Sequence, residues 1–193
     1  MDILIPAAGS SSRMGGSDKL SREIDGMPLL RRTILIALTI RMEIIVMLRP
    51  DCPRRALIQD LPIEIRTVPD ASEGLAASLR KGAEGAGPLM VLPADMPDID
   101  RLDHVTMHAQ HRLMPGRIIR ACSSTGIPGH PVVFPAFLRP SFKSLTGDTG
   151  AKPILEAWPD LIHPVRLRDD HAITDLDTPE AWAAWEATRL PNR

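Results

Sequence analysis

Arg13 and Lys19 stand in a run of small residues, Pro6-Ala7-Ala8-Gly9-Ser10-Ser11-Ser12-Arg13-Met14-Gly15-Gly16-Ser17-Asp18-Lys19, which suits phosphate binding. Gly9 lets the backbone pass close to a ligand, and successive N–H groups can form an anion nest. Arginine adds a bidentate fork and lysine a point charge. Further on, the apolar run Leu89-Met90-Val91-Leu92 ends in Pro93-Ala94-Asp95, an acid at the end of a strand. Mg²⁺ takes one or two carboxylates and completes its octahedron with phosphate oxygens and water, so Asp95 qualifies as a ligand. Asp175 and Asp177 offer the second carboxylate. Structural readings stand beside these. The first loop could be a βα turn with incidental charges, and Asp95 could cap a turn. Thr178 or Asp177 could be the N-cap of a helix that has Pro179 at its first position.

The elements that must position these groups alternate short apolar runs with helical stretches, the pattern of βαβ units around a mostly parallel sheet. Strands are expected at residues 3–7, 43–48, 63–68 and 89–94, with helices over 28–40, 52–59 and 74–84. After Asp95 the order loosens. Helices are expected near 100–111, 136–143 and 151–158 and from Pro179, and strands near 117–121 and 131–134, with a small antiparallel excursion. The fold class is thus α/β, a Rossmann-like three-layer sheet, with residues 1–193 as one domain and the last four frayed. Open α/β sheets bind ligands at the carboxyl ends of their strands, which delivers Asp95 to the same edge as the Gly9 loop. That loop has neither the G-x-G-x-x-G of dinucleotide sites nor the G-x-x-x-x-G-K-[ST] of P-loops.

Composition excludes other classes. The formal charge is -1, so no global basic field points to nucleic acid or an anionic membrane, and aromatic residues at 3% leave no stacking platform. Cys52 and Cys122 have no metal or redox spacing, which fits a reducing cytoplasm. The N-terminus is too short and acidic for a signal peptide, and no apolar run reaches the roughly 20 residues of a membrane helix. Three further segments carry polar residues at marked positions. Gly74 to Gly82 opens a helix with small residues, leaving N–H groups for a ligand, with Ser78 one turn inside. Gly126 to Phe134 contains His130, and Thr146 to Lys152 contains Asp148. His104, His108 and His111 fall at helical spacing in an exposed-looking stretch and carry no assigned role.

The string A-A-G-S-S-S-R-M-G followed by Asp18-Lys19-Leu20 resembles L-A-A-G-x-S-x-R-M-G-x-x-K of the MobA-like nucleotidyltransferases, above all the molybdenum-cofactor cytidylyltransferases. The likeness extends from Ile3 to Trp182 and implies a nucleotide-diphospho-sugar transferase type of sheet. It places Ala7, Ala8, Gly9, Ser10 and Ser12 around the nucleotide, with Arg13 and Lys19 on the triphosphate. Guanylyl-transferring relatives resemble L-A-G-G, whereas Ala8 stands here in place of their first Gly, which favours CTP. Gly74 and Ser78 fall on G-M-x-x-S-L-x-x-G, which borders the base, and Leu75 replaces Met. Asp95 falls on the metal-binding Asp of G-D-M-P, with Ala94 for Gly, and Asp175 to Glu180 resembles D-I-D-T-P-E-D, with Asp177 as second ligand. Gly126 to Phe134 and Gly147 to Lys152 resemble G-x-x-G-H-P-V-x-F and G-D-x-G-A-R, which sets His130 and Asp148 beside the acceptor. Lys152 stands where Arg is usual, and Pro6 resembles the P-A-A-G of methylerythritol-phosphate cytidylyltransferases.

The expected reaction is Mg²⁺-dependent transfer of CMP from CTP to a phosphorylated acceptor, molybdopterin by resemblance, with a molybdoenzyme or its maturation factor as partner. The alternatives are a methylerythritol-phosphate-type cytidylyltransferase, a guanylyltransferase, a Rossmann oxidoreductase, and a non-catalytic module that delivers a cofactor.

Overall fold

The computed structural model describes residues 1–10, 14 and 18–189. Strand β1 (Asp2–Pro6) is followed by a two-strand hairpin, β2 (Glu23–Ile24) and β3 (Met27–Pro28), and by helix α1 (Leu29–Leu38). Next come β4 (Glu43–Leu48), β5 (Glu64–Thr67), α2 (Leu75–Gly82), β6 (Leu89–Val91) and α3 (Arg101–Leu113). The remainder is β7 (Ile118–Cys122), β8 (Pro128–Phe134), α4 (Lys152–Ala157), β9 (Ile162–Arg166) and α5 (Pro179–Arg189).

The seven-stranded sheet has the order β5-β4-β1-β6-β8-β7-β9, in which β8 runs antiparallel to both its neighbours and every other pairing is parallel. Central β1 buries Ile3, Leu4 and Ile5 completely, as a strand covered on both faces must. One face carries a core with Ile34 of α1, Met107 of α3 and Trp182 of α5, and the other packs Leu79 of α2 with Phe134, Phe142 and Ile154 of α4. The result is a three-layer, mostly parallel α/β sheet with a small antiparallel component, as the alternating pattern implies. Arg22 lies over the Trp182 ring at 4.3 Å and pairs with Glu186, which ties α5 to the hairpin side.

Three features differ from expectation. Residues 53–57 form a 3-10 turn, because Pro53 removes one donor and Ile58 already leaves the helical region. Strand β9 was not anticipated; Pro164 lies within it, and a sheet edge is where a strand tolerates proline. The stretch with the three histidines is exposed on one face only: α3 turns Asp103, His104, Met107 and His111 inward and leaves His108 half-buried. His104 is fully buried with neither ring nitrogen bonded, and burial pushes its pKa down to about 4 against a small opposing effect of Asp100. Among the described residues no helix is long and apolar enough to cross a membrane.

Candidate active site

A cleft of about 1450 Å³ opens along the carboxyl edge of the parallel strands. Its lining contains Ala7, Ala8, Gly9, Ser10 and Lys19 from the first loop, Gly74 just before α2 and Ser78 within it, and Asp95, His130, Asp148 and Asp177. Of the candidate residues that it describes, the structure thus brings all but Asp175 to one cleft. Ser12 and Arg13 lie outside the described residues. A Cβ added at Gly9 would meet nothing within 4 Å, so the protein itself does not require a glycine there.

At the centre of this edge the Lys19 ammonium donates to Asp95 Oδ2 at 2.5 Å and to Asp177 Oδ1. Backbone geometry holds both acids. Leu92 N–H donates to the Leu4 carbonyl and extends β6, while Thr33 Oγ1 donates to the Ala94 carbonyl at 3.1 Å and Arg32 to that of Pro97. The Leu176 N–H donates to the Asp95 carbonyl at 3.0 Å, so the segment before α5 is clipped directly to the turn after β6. Asp177 then faces the cleft, whereas Asp175 lines a separate shallow pocket beside Trp185. The N-cap role falls to Thr178, whose Oγ1 accepts the Ala181 N–H at 3.2 Å. Burial opposes the charge on Lys19, but the Asp95 charge and the hydrogen bonds to both acids outweigh it and raise its pKa. Two carboxylates that converge on one cation also form a hard oxygen donor set, the kind that accepts a divalent ion.

Sequence reasoning missed the group that fixes this loop. Arg54 is 2% exposed; its Nε and Nη2 grip Asp18 at 2.8 and 2.7 Å, and its Nη1 donates to the Ala7 carbonyl at 2.6 Å. Asp18 also accepts from Leu20 N–H and Ser21 Oγ, so Lys19 sits between restrained neighbours. Burial disfavours the Asp18 charge, yet the hydrogen bonds of Arg54 and Ser21 and the Arg54 charge overcome it and hold the pKa at about 2. Nothing in Cys52-Pro53-Arg54-Arg55 distinguishes Arg54 from its exposed neighbour Arg55.

The start of α2 differs from expectation. Its first N–H groups are not open to a ligand: Leu75 N–H donates to Asp148 Oδ1 at 2.9 Å and Ala76 N–H to the Gly147 carbonyl at 3.0 Å. Asp148 therefore borders the cleft while it caps a helix. Gly74 has φ of 96°, and a Cβ there would lie 2.3 Å from Asp148 Oδ1, so both conformation and space demand glycine. Ser78, 3% exposed, lies on the same wall.

At the far end His130 rises from β8, with its backbone N–H bonded to the Ala172 carbonyl at 2.8 Å and its Nδ1 buried without a partner. Burial lowers its pKa, nearby Arg120 lowers it further, and Asp95 acts in the opposite sense. Arg120, on β7 and also missed from the sequence, faces the same cleft. A charge inside the run Ile118-Ile119-Arg120-Ala121-Cys122 was the available signal. Lys152 lines the cleft but is largely exposed and loosely paired with Glu156 at 3.6 Å.

Residues 3–164 match the MobA-like NTP transferase domain. Over 188 residues, 90% of each chain, the sequence is 29% identical to a protein named Nicotine blue oxidoreductase from Paenarthrobacter nicotinovorans. The fold is shared with a crystal structure of the Mycobacterium sp. strain JC1 homologue of Rv0371c from Mycobacterium tuberculosis (TM-score 0.81, 22% identity, 100% and 98% of the two chains covered). A manganese complex of Rv0371c itself, from strain H37Rv, has a TM-score of 0.75 at 17% identity over 95% and 96% of the chains. The CTP complex of a CMP:2-keto-3-deoxy-manno-octonic acid synthetase has a TM-score of 0.71 at 15% identity over 99% and 98%.

Proposed function

From the premise that the chain belongs to the MobA-like NTP transferase domain family, we propose that it is a cytidylyltransferase that transfers CMP from CTP to a phosphorylated small-molecule acceptor and releases pyrophosphate. Residues 1–193 act as one such domain, in the cytoplasm. The observation that carries this reading is the meeting of Lys19, Asp95 and Asp177 at the cleft edge beside Gly9.

Attack by an acceptor phosphate on the α-phosphorus of CTP needs positioning and charge neutralisation more than a strong base, because the nucleophile is already anionic. The Gly9 loop cradles the phosphates with its backbone N–H groups, while Lys19, with Arg13, takes up charge on the departing pyrophosphate. Arg54 and Asp18 keep the Lys19 loop in register. Ala7, Ala8, Ser10, Ser12, Gly74 and Ser78 orient the nucleotide, and His130 and Asp148 border the acceptor. Asp95 and Asp177 would hold Mg²⁺, which neutralises phosphate oxygens and polarises the α-phosphoryl group when bound. Ala8 favours CTP, and the fold shared with a CTP-bound synthetase supports that choice. Molybdopterin is the acceptor that the family resemblance suggests, with a molybdoenzyme or its maturation factor receiving the product.

Thermal-shift titration with CTP, GTP, ATP and UTP, each with and without Mg²⁺, tests the nucleotide, because a ligand bound only to the folded state raises stability as RT ln(1 + [L]/Kd). A GTP preference overturns the assignment of cytidine. The relative named an oxidoreductase supports a second reading, in which the cleft serves a redox reaction. The missing G-x-G-x-x-G speaks against nicotinamide binding, and titration with NADH and NADPH separates the two. Tight CTP binding without turnover on any acceptor would point to a delivery module.

A further inference from the structure

The buried and half-buried cations of the cleft differ in their partners. Lys19 is held by Asp95 and Asp177, and Arg54 by Asp18. Among the described residues, Arg120 has no carboxylate partner; its one hydrogen bond runs from Nε to the Gly129 carbonyl at a long 3.4 Å. Its place in the sheet makes this unusual. Strand β7 lies between β8 and β9, and Arg120 sits directly opposite Val132 of β8 and Pro164 of β9. Directly paired residues share a face, and Val132 lines the cleft together with His130 and Phe134 on the same alternation. The guanidinium thus emerges over an apolar floor, which also includes Leu155 and Ile162. Burial there works against its charge. A partly desolvated cation without a counter-charge is unfavourable in the free protein, and an anion that docks on it recovers that cost.

His130 locates such an anion. It lines the cleft from β8, the strand between β6, which leads to Asp95, and β7, which carries Arg120, and it is near enough to both to feel their charges. A planar guanidinium matches two phosphate oxygens at once, and an imidazole N–H can reach a third.

We propose that Arg120, with His130 beside it, is the anchor for the acceptor's phosphate monoester, with the organic body of the acceptor resting on the apolar strand floor. This rests on the nucleotidyltransferase reading for its purpose. Position then determines reactivity: a phosphate on Arg120 lies across the cleft from the Gly9 cradle, with Asp95 and His130 between, and approaches the nucleotide from the side opposite the pyrophosphate.

The test uses the full chain and phenyl phosphate, a probe that combines an apolar ring with a phosphate monoester. Calorimetric titration of the wild type, Arg120→Gln, Arg120→Lys, Lys19→Ala and, as a surface control, Arg31→Gln separates the possibilities, with benzyl alcohol as the uncharged comparison. The expected result is binding of phenyl phosphate but not benzyl alcohol to the wild type. Arg120→Gln should weaken it roughly tenfold or more, as for loss of a charged hydrogen bond. Arg120→Lys should weaken it less, and Lys19→Ala and Arg31→Gln hardly at all. Binding that survives Arg120→Gln but is lost in Lys19→Ala would place the probe in the triphosphate cradle and overturn the proposal, as would no binding to the wild type. A CTP thermal shift measured on the same variants keeps the two readings apart. An Arg120-dependent phenyl phosphate site without a CTP response sinks the nucleotide assignment and leaves the anion site standing. A CTP response with Arg120-independent probe binding does the reverse.

Discussion

Two clusters of the same composition, a pair of carboxylates around a nitrogen base, lie near each other in the chain and do different things. In the first, Asp95 and Asp177 converge on Lys19. In the second, Asp103 receives the His171 Nδ1 at 2.7 Å while Asp100 lies beside Arg168. Both join the stretch after β6 to the stretch after β9. The second is accounted for by its backbone: Asp100 accepts from Leu102 and Asp103 N–H groups, Asp103 accepts from Asp100 N–H, and together they close the N-terminus of α3 as a capping box. The acids of the first face a cleft and share a single ammonium. Proximity of acids is therefore a poor guide to chemistry until the backbone donors have been assigned.

Mutation should separate the clusters sharply. Lys19→Ala or Asp95→Asn is expected to lower nucleotidyl transfer about 10²- to 10³-fold, comparable to removal of one preorganised charge-stabilising group, with little change in denaturation midpoint. Full activity in either folded variant would erase the distinction. Asp103→Ala should do the opposite. It strands the buried His171 and the Asp100 N–H and costs about 1 to 3 kcal/mol in urea unfolding, with the CTP thermal shift unchanged.

His104, on the helix that the second cluster caps, sharpens the contrast through pH. Its folded pKa of about 4 lies below the ordinary 6.5, so between those values the unfolded chain binds the proton and the folded one does not. Stability falls as pH drops through that window, by about 2 kcal/mol between pH 7 and pH 5. His104→Leu should flatten this part of the urea stability profile, and an unchanged slope would show that another group carries it. The smallest effect is expected at Thr178, where Ala removes the cap of α5 at about 0.5 to 1 kcal/mol and leaves Asp177 in the cleft.

Legibility in the sequence followed the same division. The central strands were plain because β1, β4 and β6 are continuous apolar runs covered on both faces. The edge strand β9 was not, since Ile162-His163-Pro164-Val165-Arg166 mixes proline and charge into a segment half open to solvent. The cleft residues were readable where small residues or a strand-end acid marked them, as at Gly9 and Asp95, while Gly74 and Ser78 stood out only through the family resemblance. Arg54 was not, because its role depends on burial against Asp18 through contacts across 36 positions. The resemblance favoured Asp177 over Asp175 as the second carboxylate, but the residues alone did not show which faces the cleft; with Leu176 clipped to Asp95, Asp177 lines the cleft and Asp175 a different pocket. Likewise the small residues before α2 suggested open N–H groups, and only the fold revealed that Asp148 and Gly147 had filled them.

The link between Lys19 and Asp177 spans 158 positions. On the ribosome, a chain that has already folded β1 and its loop still lacks the acid that completes the trio, and it gains that acid only when the segment around Leu176 emerges and fastens to the sheet. Competence for the proposed chemistry thus waits on a segment far downstream of the loop it completes, and a protease that severed the chain ahead of Leu176 would detach that acid from the covalent frame that holds Lys19 and Asp95.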